Sequence, residues 1–87
     1  MSDIRDILFE RNKTHGDYGE HARITQNIKA MMRNCDGFDQ LRSTEKEALE
    51  MFAHKIGRIL AGNPHFEDHW RDIAGYATLV ANKCKEP

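Results

Sequence analysis

The fold of this chain is decided by residues 43–84, STEKEALEMFAHKIGRILAGNPHFEDHWRDIAGYATLVANKC. Apolar residues recur here at helical spacing, and the pattern predicts two long helices, residues 44–61 and 67–83. Thr44, with Glu47 three residues later, is typical of a capping box at the first helix start. The Gly-Asn-Pro-His turn at 62–65 separates the helices, because its glycine is expected to take the left-handed cap conformation and its proline cannot continue a helix.

Helical periodicity predicts which side of each hairpin helix is buried. The first helix carries an apolar stripe opposite a polar row: Leu49, Phe52, Ala53, Ile56, Ile59 and Leu60 against Glu47, Glu50, His54 and Arg58. The second carries a stripe that includes Trp70, with a mixed row on another side: Phe66, Trp70, Ile73, Ala74, Ala77, Val80 and Ala81 against Asp68, Asp72, Gly75 and Leu79. Gly57 and Gly75 each cost about 1 kcal/mol relative to Ala, which indicates close approach of a backbone, a ligand or a neighbouring helix.

Two more helices are predicted before the hairpin. Ser2 is expected to cap a helix that ends near residue 10. Residues 11–19 then predict a loop in which His15, Asp17 and Tyr18 are candidate binding residues. A turn in which the aspartate only caps the next helix is the alternative.

The predicted domain is completed by a helix over residues 20–34, which ends at the sequence CDGFD, 35–39. The result is an all-α, four-helix domain that spans residues 1–87. A chain of this length buries only about 60–65% of its unfolded surface, so self-association is expected.

Composition excludes several classes of protein. The 39% apolar content contains no run near the roughly 18 residues of a membrane span, and no signal peptide is recognised, so a cytoplasmic protein is expected. Net charge is −1 with both signs interspersed, which argues against a nucleic-acid binder. Cys35 and Cys84 are far apart in sequence, which favours reduced thiols over a disulfide.

Four carboxylates of the hairpin are spaced so that they can converge. Glu47 and Glu50 share one helix face, as do Asp68 and Asp72 on the next helix. Two antiparallel helices can bring such ligands around one point. Because Mg²⁺ prefers carboxylate, water and phosphate oxygens, the pattern predicts a magnesium site that takes a nucleoside triphosphate.

Three further residues are candidate nucleotide contacts. Lys55 and Arg58 can donate to phosphate oxygens, although ordinary surface pairing with Glu50 and His54 is the alternative. Tyr76 can stack on a base, whereas the tryptophan of the apolar stripe is expected to pack in the core.

The sequence resembles a known superfamily. Glu47-x-x-Glu50, followed after 18 residues by a position three before Asp72, is similar to the E-x-x-E … E-x-x-D signature of the all-α nucleoside triphosphate pyrophosphohydrolases, the MazG-like superfamily. Small phage-encoded domains of unknown function, regarded as relatives of that superfamily, are more closely similar through THGDY (14–18), EALEM (47–51), HKI (54–56) and DIAGYA (72–77). The resemblance covers nearly the whole chain.

This resemblance implies a MazG-like helical bundle completed by dimerisation, in the host cytoplasm if the chain is phage-encoded. It implies that Glu47, Glu50 and Asp72 bind Mg²⁺, and that a metal-activated water splits a triphosphate into monophosphate and pyrophosphate. His69 stands where the superfamily has its second Glu. Because imidazole is a poor Mg²⁺ ligand, either Asp68 supplies the fourth oxygen, or a softer ion such as Mn²⁺ binds, or activity is lost.

Two other hypotheses stay open on the sequence alone. His65 and His69, four residues apart, are compatible with zinc, but two histidines without a nearby cysteine are a weak signal. A non-catalytic accessory protein that binds a host or phage protein is the alternative to an enzyme. In that case the acidic row is a solvated face or an interface.

Overall fold

Five helices make up residues 3–86, the part of the chain that the computed structural model describes. They are α1 (Ile4–His15), α2 (Tyr18–Arg33), α3 (Asp36–Asp39), α4 (Ser43–Ala61) and α5 (Glu67–Cys84). These residues contain no strand, which confirms the predicted all-α class. The two hairpin helices are found within one residue of their predicted ends, and the four-residue α3 lies where the sequence predicted only a break.

The first helix is longer than predicted, because α1 runs on through most of the expected loop to His15. Its cap is Asp3, whose carboxylate accepts from the backbone N–H of Arg5 (3.1 Å), while the predicted cap at position 2 lies outside the described residues. The loop shrinks to Gly16 and Asp17. The Asp17 carboxylate accepts from the backbone N–H of Glu20 (2.9 Å), so this aspartate caps α2.

The start of α4 differs in detail from the prediction. The helix begins at Ser43, and its first turn is closed by Glu45, whose carboxylate accepts from the backbone N–H of Arg42 (2.8 Å). The predicted Thr44–Glu47 capping box was therefore wrong. Glu45 stands at the third helical position, where a carboxylate can reach back to the residue before the helix.

The core is organised around α4. Within residues 3–86, α2 and α5 each pack along α4 rather than against each other, and α1 contacts α2 and α4. Buried residues are mostly small or polar, and include Thr25, Ala48, Ala53 and Ile59. Gly57 lets α2 and α4 approach closely, since a Cβ there would lie 2.7 Å from Nδ1 of His21. The predicted close approach is thus confirmed at this glycine.

The predicted buried faces were only partly right. On α4, Leu60 is 66% exposed, while Lys55 is 6% exposed. On α5, Trp70 is 54% exposed and donates its indole N–H to the carbonyl of Pro64 (2.8 Å), while His69 is 1% exposed. The physical reason is that α4 lies between two helices, which bury a wide sector. In contrast, α5 packs along α4 alone and contacts the end of α1 only through His69 in its first turn.

The turn between α4 and α5 is tied to the end of α1. The carbonyl oxygen of Thr14 accepts from the backbone N–H of Asn63 (3.1 Å) and from Nε2 of His69 (3.2 Å). A Cβ on Gly62 would lie 2.5 Å from the backbone nitrogen of Gly16. Gly62 has φ −123°, so the predicted left-handed cap was wrong, and glycine is needed here for space.

The molecule is elongated, with principal extents of 50 × 26 × 23 Å. No helix among the described residues is both long enough and apolar enough to span a membrane. Cys35 and Cys84 are free, exposed thiols, as the sequence predicted.

Candidate functional site

An ion pair between a buried lysine and a half-exposed aspartate joins the two hairpin helices. Nζ of Lys55 on α4 lies 2.6 Å from a carboxylate oxygen of Asp72 on α5. Lys55 is buried, whereas the Asp72 side chain is about half exposed. The hydrogen bond from this ammonium group, followed by its charge, lowers the pKa of Asp72. The alternative that placed this lysine in surface pairs with Glu50 was therefore wrong.

Two of the predicted site residues share a cavity on the hairpin. This hairpin cavity, about 400 Å³, lies between the start of α4 and the end of α5 and is lined by Ser43, Thr44, Glu47, Ala48, Tyr76, Leu79, Val80 and Lys83. Tyr76 and Leu79 also line an adjoining recess of about 230 Å³ that contains Asp72. Tyr76 therefore separates two of the predicted carboxylates, with Glu47 on one side and Asp72 on the other.

The four predicted metal ligands are not assembled into one cluster. Within residues 3–86 no group of three or more histidine, cysteine, aspartate or glutamate side chains is placed to hold a metal ion. Asp68 is exposed, Glu50 is half-buried, and Asp72 is occupied by Lys55. The predicted Mg²⁺ or Mn²⁺ site therefore does not fit the arrangement of this single chain, and no chemical step is assigned to it.

The zinc hypothesis receives no geometric support. His69 is buried against aromatic rings, 5.0 Å from the ring of His15 and 4.9 Å from that of Phe66. One of its nitrogens is taken by the carbonyl of Thr14. His65 is exposed in the α4–α5 turn, and its backbone N–H is held by the side chain of Asn63.

The other predicted contacts, Tyr18 and Arg58, lie near each other. They line a second cavity of about 300 Å³ between α1, α2 and α4, together with Leu8, Arg11, Asn12, His15, Gly16, His21 and His54. We call it the basic cavity, because two guanidinium groups and three imidazole rings line it and none of its lining residues is acidic. Asp17 is not among them, since its carboxylate faces the first turn of α2.

The imidazole rings of the basic cavity are packed edge to face. The rings of His21 and His54 lie 4.6 Å apart at 87°. Nδ1 of His21 is buried and has no hydrogen-bond partner among the described residues. The hydroxyl of Thr14 lies 2.6 Å from Nδ1 of His15, which fixes that ring at the end of α1.

The lining of the basic cavity carries two positive charges and no negative charge. Burial, with the nearby Arg58, lowers the pKa of His15 and of His54 to about 4, so both rings are neutral at pH 7. Burial and then the charge of Arg11 lower the pKa of Arg58, which still carries its proton. Neither arginine has a carboxylate partner within residues 3–86.

Arg11 and His21 are among the cavity residues that sequence reasoning missed. Arg11 lies four residues before His15, and Tyr18 three before His21, so each pair shares a helix face. That signal was hidden because residues 11–19 were predicted to be a loop. Had α1 been extended to His15 and α2 begun at Tyr18, the spacing would have placed both pairs on helices.

Comparison with known proteins assigns residues 3–84 to one family, described as "Domain of unknown function (DUF6378)". No curated protein and no solved structure matches the chain.

Proposed function

Because the chain belongs to the DUF6378 family, whose description names no activity, we propose its function from geometry: it binds a nucleotide on the α4–α5 hairpin. The base lies against Tyr76, and the phosphates lie near Lys55 and Arg58. The observation that carries this proposal is the position of Asp72, which shares a recess with Tyr76 and is bonded to Lys55.

The order of chemical groups along the hairpin supports a nucleotide ligand. A half-buried aromatic ring, a carboxylate and a buried ammonium group follow one another at Tyr76, Asp72 and Lys55. The charge of Arg58 is the smallest of the causes that lower the pKa of Asp72. Aromatic rings stack on bases, and cations bind phosphates by charge-assisted hydrogen bonds.

Pyrophosphohydrolysis is the more specific form of this proposal, with Glu47, Glu50 and Asp72 as the catalytic and metal-binding residues. Its support is the resemblance to the MazG-like signature. Binding and hydrolysis can therefore be tested separately, because the metal site does not fit the single chain while the proposed stacking and phosphate contacts do not require it.

Calorimetric titration of a nonhydrolysable nucleoside triphosphate tests binding, in buffer alone and then with Mg²⁺ or Mn²⁺. We expect a Kd of about 1 mM or tighter, which corresponds to about −4 kcal/mol. Tyr76→Leu should weaken binding about tenfold, through loss of base stacking. The matched control is Phe9→Leu, which removes an exposed ring on α1. Absence of binding under all three conditions would overturn the proposal.

Hydrolysis is tested by release of pyrophosphate from a panel of nucleoside triphosphates. If the acids hold a metal, Glu50→Gln should abolish both Mg²⁺ binding and turnover. Glu10→Gln, an exposed glutamate of α1, is the control. Turnover that survives Glu50→Gln would remove that residue from the catalytic set.

A second candidate function, association with another protein chain, is favoured by exposed apolar side chains. Leu60, Trp70 and Leu79 are 54–66% exposed on α4 and α5. The homodimer expected from the sequence is the specific form of this candidate, and an accessory role with a different protein is the other form.

A further inference from the structure

The basic cavity offers positive charge without a counter-ion. Arg11 on α1 and Arg58 on α4 both line it, and neither has an ion-pair partner in residues 3–86. The other five arginines include Arg5, Arg23, Arg42 and Arg71, each of which is paired with an acid. Two neighbouring guanidinium groups repel each other, so an arrangement of this kind is relieved by an anion.

Neutral hydrogen-bonding groups complete the lining. Imidazole rings from three different helices, those of His15, His21 and His54, line the cavity. A neutral imidazole can donate one hydrogen bond and gains a second donor when it is protonated.

We propose that the basic cavity is a binding site for a phosphate group, either inorganic phosphate or the phosphate of a small phosphorylated ligand. Arginine is the side chain best suited to phosphate, because its planar fork donates two parallel hydrogen bonds. The volume of about 300 Å³ lies at the lower end of ligand pockets and suits a small ligand. The site shares Arg58 with the proposed nucleotide site but does not depend on that function, since a phosphate group alone should occupy it.

The mutational test is calorimetric titration of inorganic phosphate, and then pyrophosphate, into the full chain at constant ionic strength. Arg11→Gln should weaken phosphate binding about tenfold or more, since one charge-assisted contact is lost. Arg5→Gln is the matched control, with the same substitution on the same helix outside the cavity, and should change Kd less than about twofold. Absence of phosphate binding to the unmodified chain, or equal weakening by the two variants, overturns the proposal.

A spectroscopic arm locates the ligand. In NMR spectra, phosphate should shift the ring resonances of His54 and raise the pH at which this ring titrates, because a bound anion favours the protonated form. His65, exposed in the α4–α5 turn, serves as the internal control and should not respond. Equal shifts at both histidines would indicate only general ionic effects and would overturn the proposal.

The failure of this proposal can be told apart from that of the nucleotide proposal. Inorganic phosphate carries no base, so phosphate binding without nucleotide binding supports the phosphate site and overturns the nucleotide function. If the nucleotide binds equally well after Arg11→Gln and the unmodified chain does not bind phosphate, the nucleotide function is supported and the phosphate site is overturned.

Discussion

At the scale of single residues, two glycines inside helices have opposite surroundings. A Cβ on Gly57 would meet Nδ1 of His21 at 2.7 Å and the hydroxyl of Thr25, whereas a Cβ on Gly75 would have no atom within 4 Å. Gly57→Ala should therefore lower the free energy of unfolding by about 1–3 kcal/mol through overpacking. Gly75→Ala should raise it by up to about 1 kcal/mol through helix propensity. Urea denaturation of both variants checks the pair, and a stabilised Gly57→Ala would contradict the tight packing of α2 on α4.

Two histidines of the basic cavity make stability depend on pH. The folded pKa values of His15 and His54 are about 4, chiefly because burial disfavours the charged rings, while the unfolded value is about 6.5. Between these values the unfolded chain binds more protons, so the stabilisation is complete above about pH 6.5 and is lost as pH falls toward 4.

His54→Gln tests this dependence. It should make the melting temperature fall less steeply between pH 6.5 and pH 4, by an amount equivalent to about 1–2 kcal/mol once water reaching the half-buried ring is allowed for. His65→Gln, on an exposed side chain, should leave the slope unchanged. Identical slopes in all three proteins would show that the cavity histidines do not govern acid stability.

At the scale of helices, the buried ammonium of Lys55 makes α4 and α5 dependent on one carboxylate. Asp72→Asn removes its partner and should lower the free energy of unfolding by about 1–3 kcal/mol, because a buried charge is left unpaired. Asp68→Asn is the matched control on the same helix, since Asp68 is exposed and makes no ion pair within residues 3–86. Chemical denaturation in the absence of ligand measures both. Equal stability of the two variants would mean that the pair contributes nothing to helix packing.

The pairing of Lys55 with Asp72 determines which acid can be used to test for metal binding. A metal site would relieve repulsion when an acid is neutralised, whereas a structural pair loses stability. Asp72 belongs to a structural pair, so a stability change there does not report on a metal. Glu50, which makes no ion pair in the described part of the chain, is the better probe.

The sequence predicted the ends of the long helices well and their buried faces poorly. Helical periodicity and the turn at 62–65 were sufficient for α4 and α5, because both signals are local. Which face is buried depends on the number of neighbours, which a single helix does not encode. His69, which stands where the resembled superfamily has a glutamate, is fully buried, and Trp70 beside it is exposed.

The candidate site was predictable only residue by residue. Tyr18 and Arg58 were recognised separately, from a loop and from a polar row, and they line one cavity. Their meeting depends on α1 continuing to His15 and on Gly57 bringing α2 close to α4. These are long-range consequences of packing, which the local sequence pattern of a polar segment such as 11–15 does not predict.

At the scale of the whole molecule, the chain exposes more surface than a monomer of its mass usually does. Its accessible surface is 6402 Å², against about 5,300 Å² expected for 10.1 kDa. The radius of gyration is 15.2 Å, against about 12 Å for a compact chain of this length. The excess, about 1,100 Å², exceeds the roughly 800 Å² that each partner buries in a standard interface.

Self-association through the outer side of α5 is the corresponding prediction. Leu79 is 63% exposed and lines the hairpin cavity, so a second copy packed against it would cover this exposed apolar side chain. Leu79→Glu should therefore convert a dimer of about 20 kDa, measured by light scattering after size exclusion, into a monomer. Met31→Glu on α2, where the side chain is 66% exposed, is the matched control and should stay dimeric. A monomeric unmodified chain would contradict self-association, and dissociation by Met31→Glu alone would move the interface to α2.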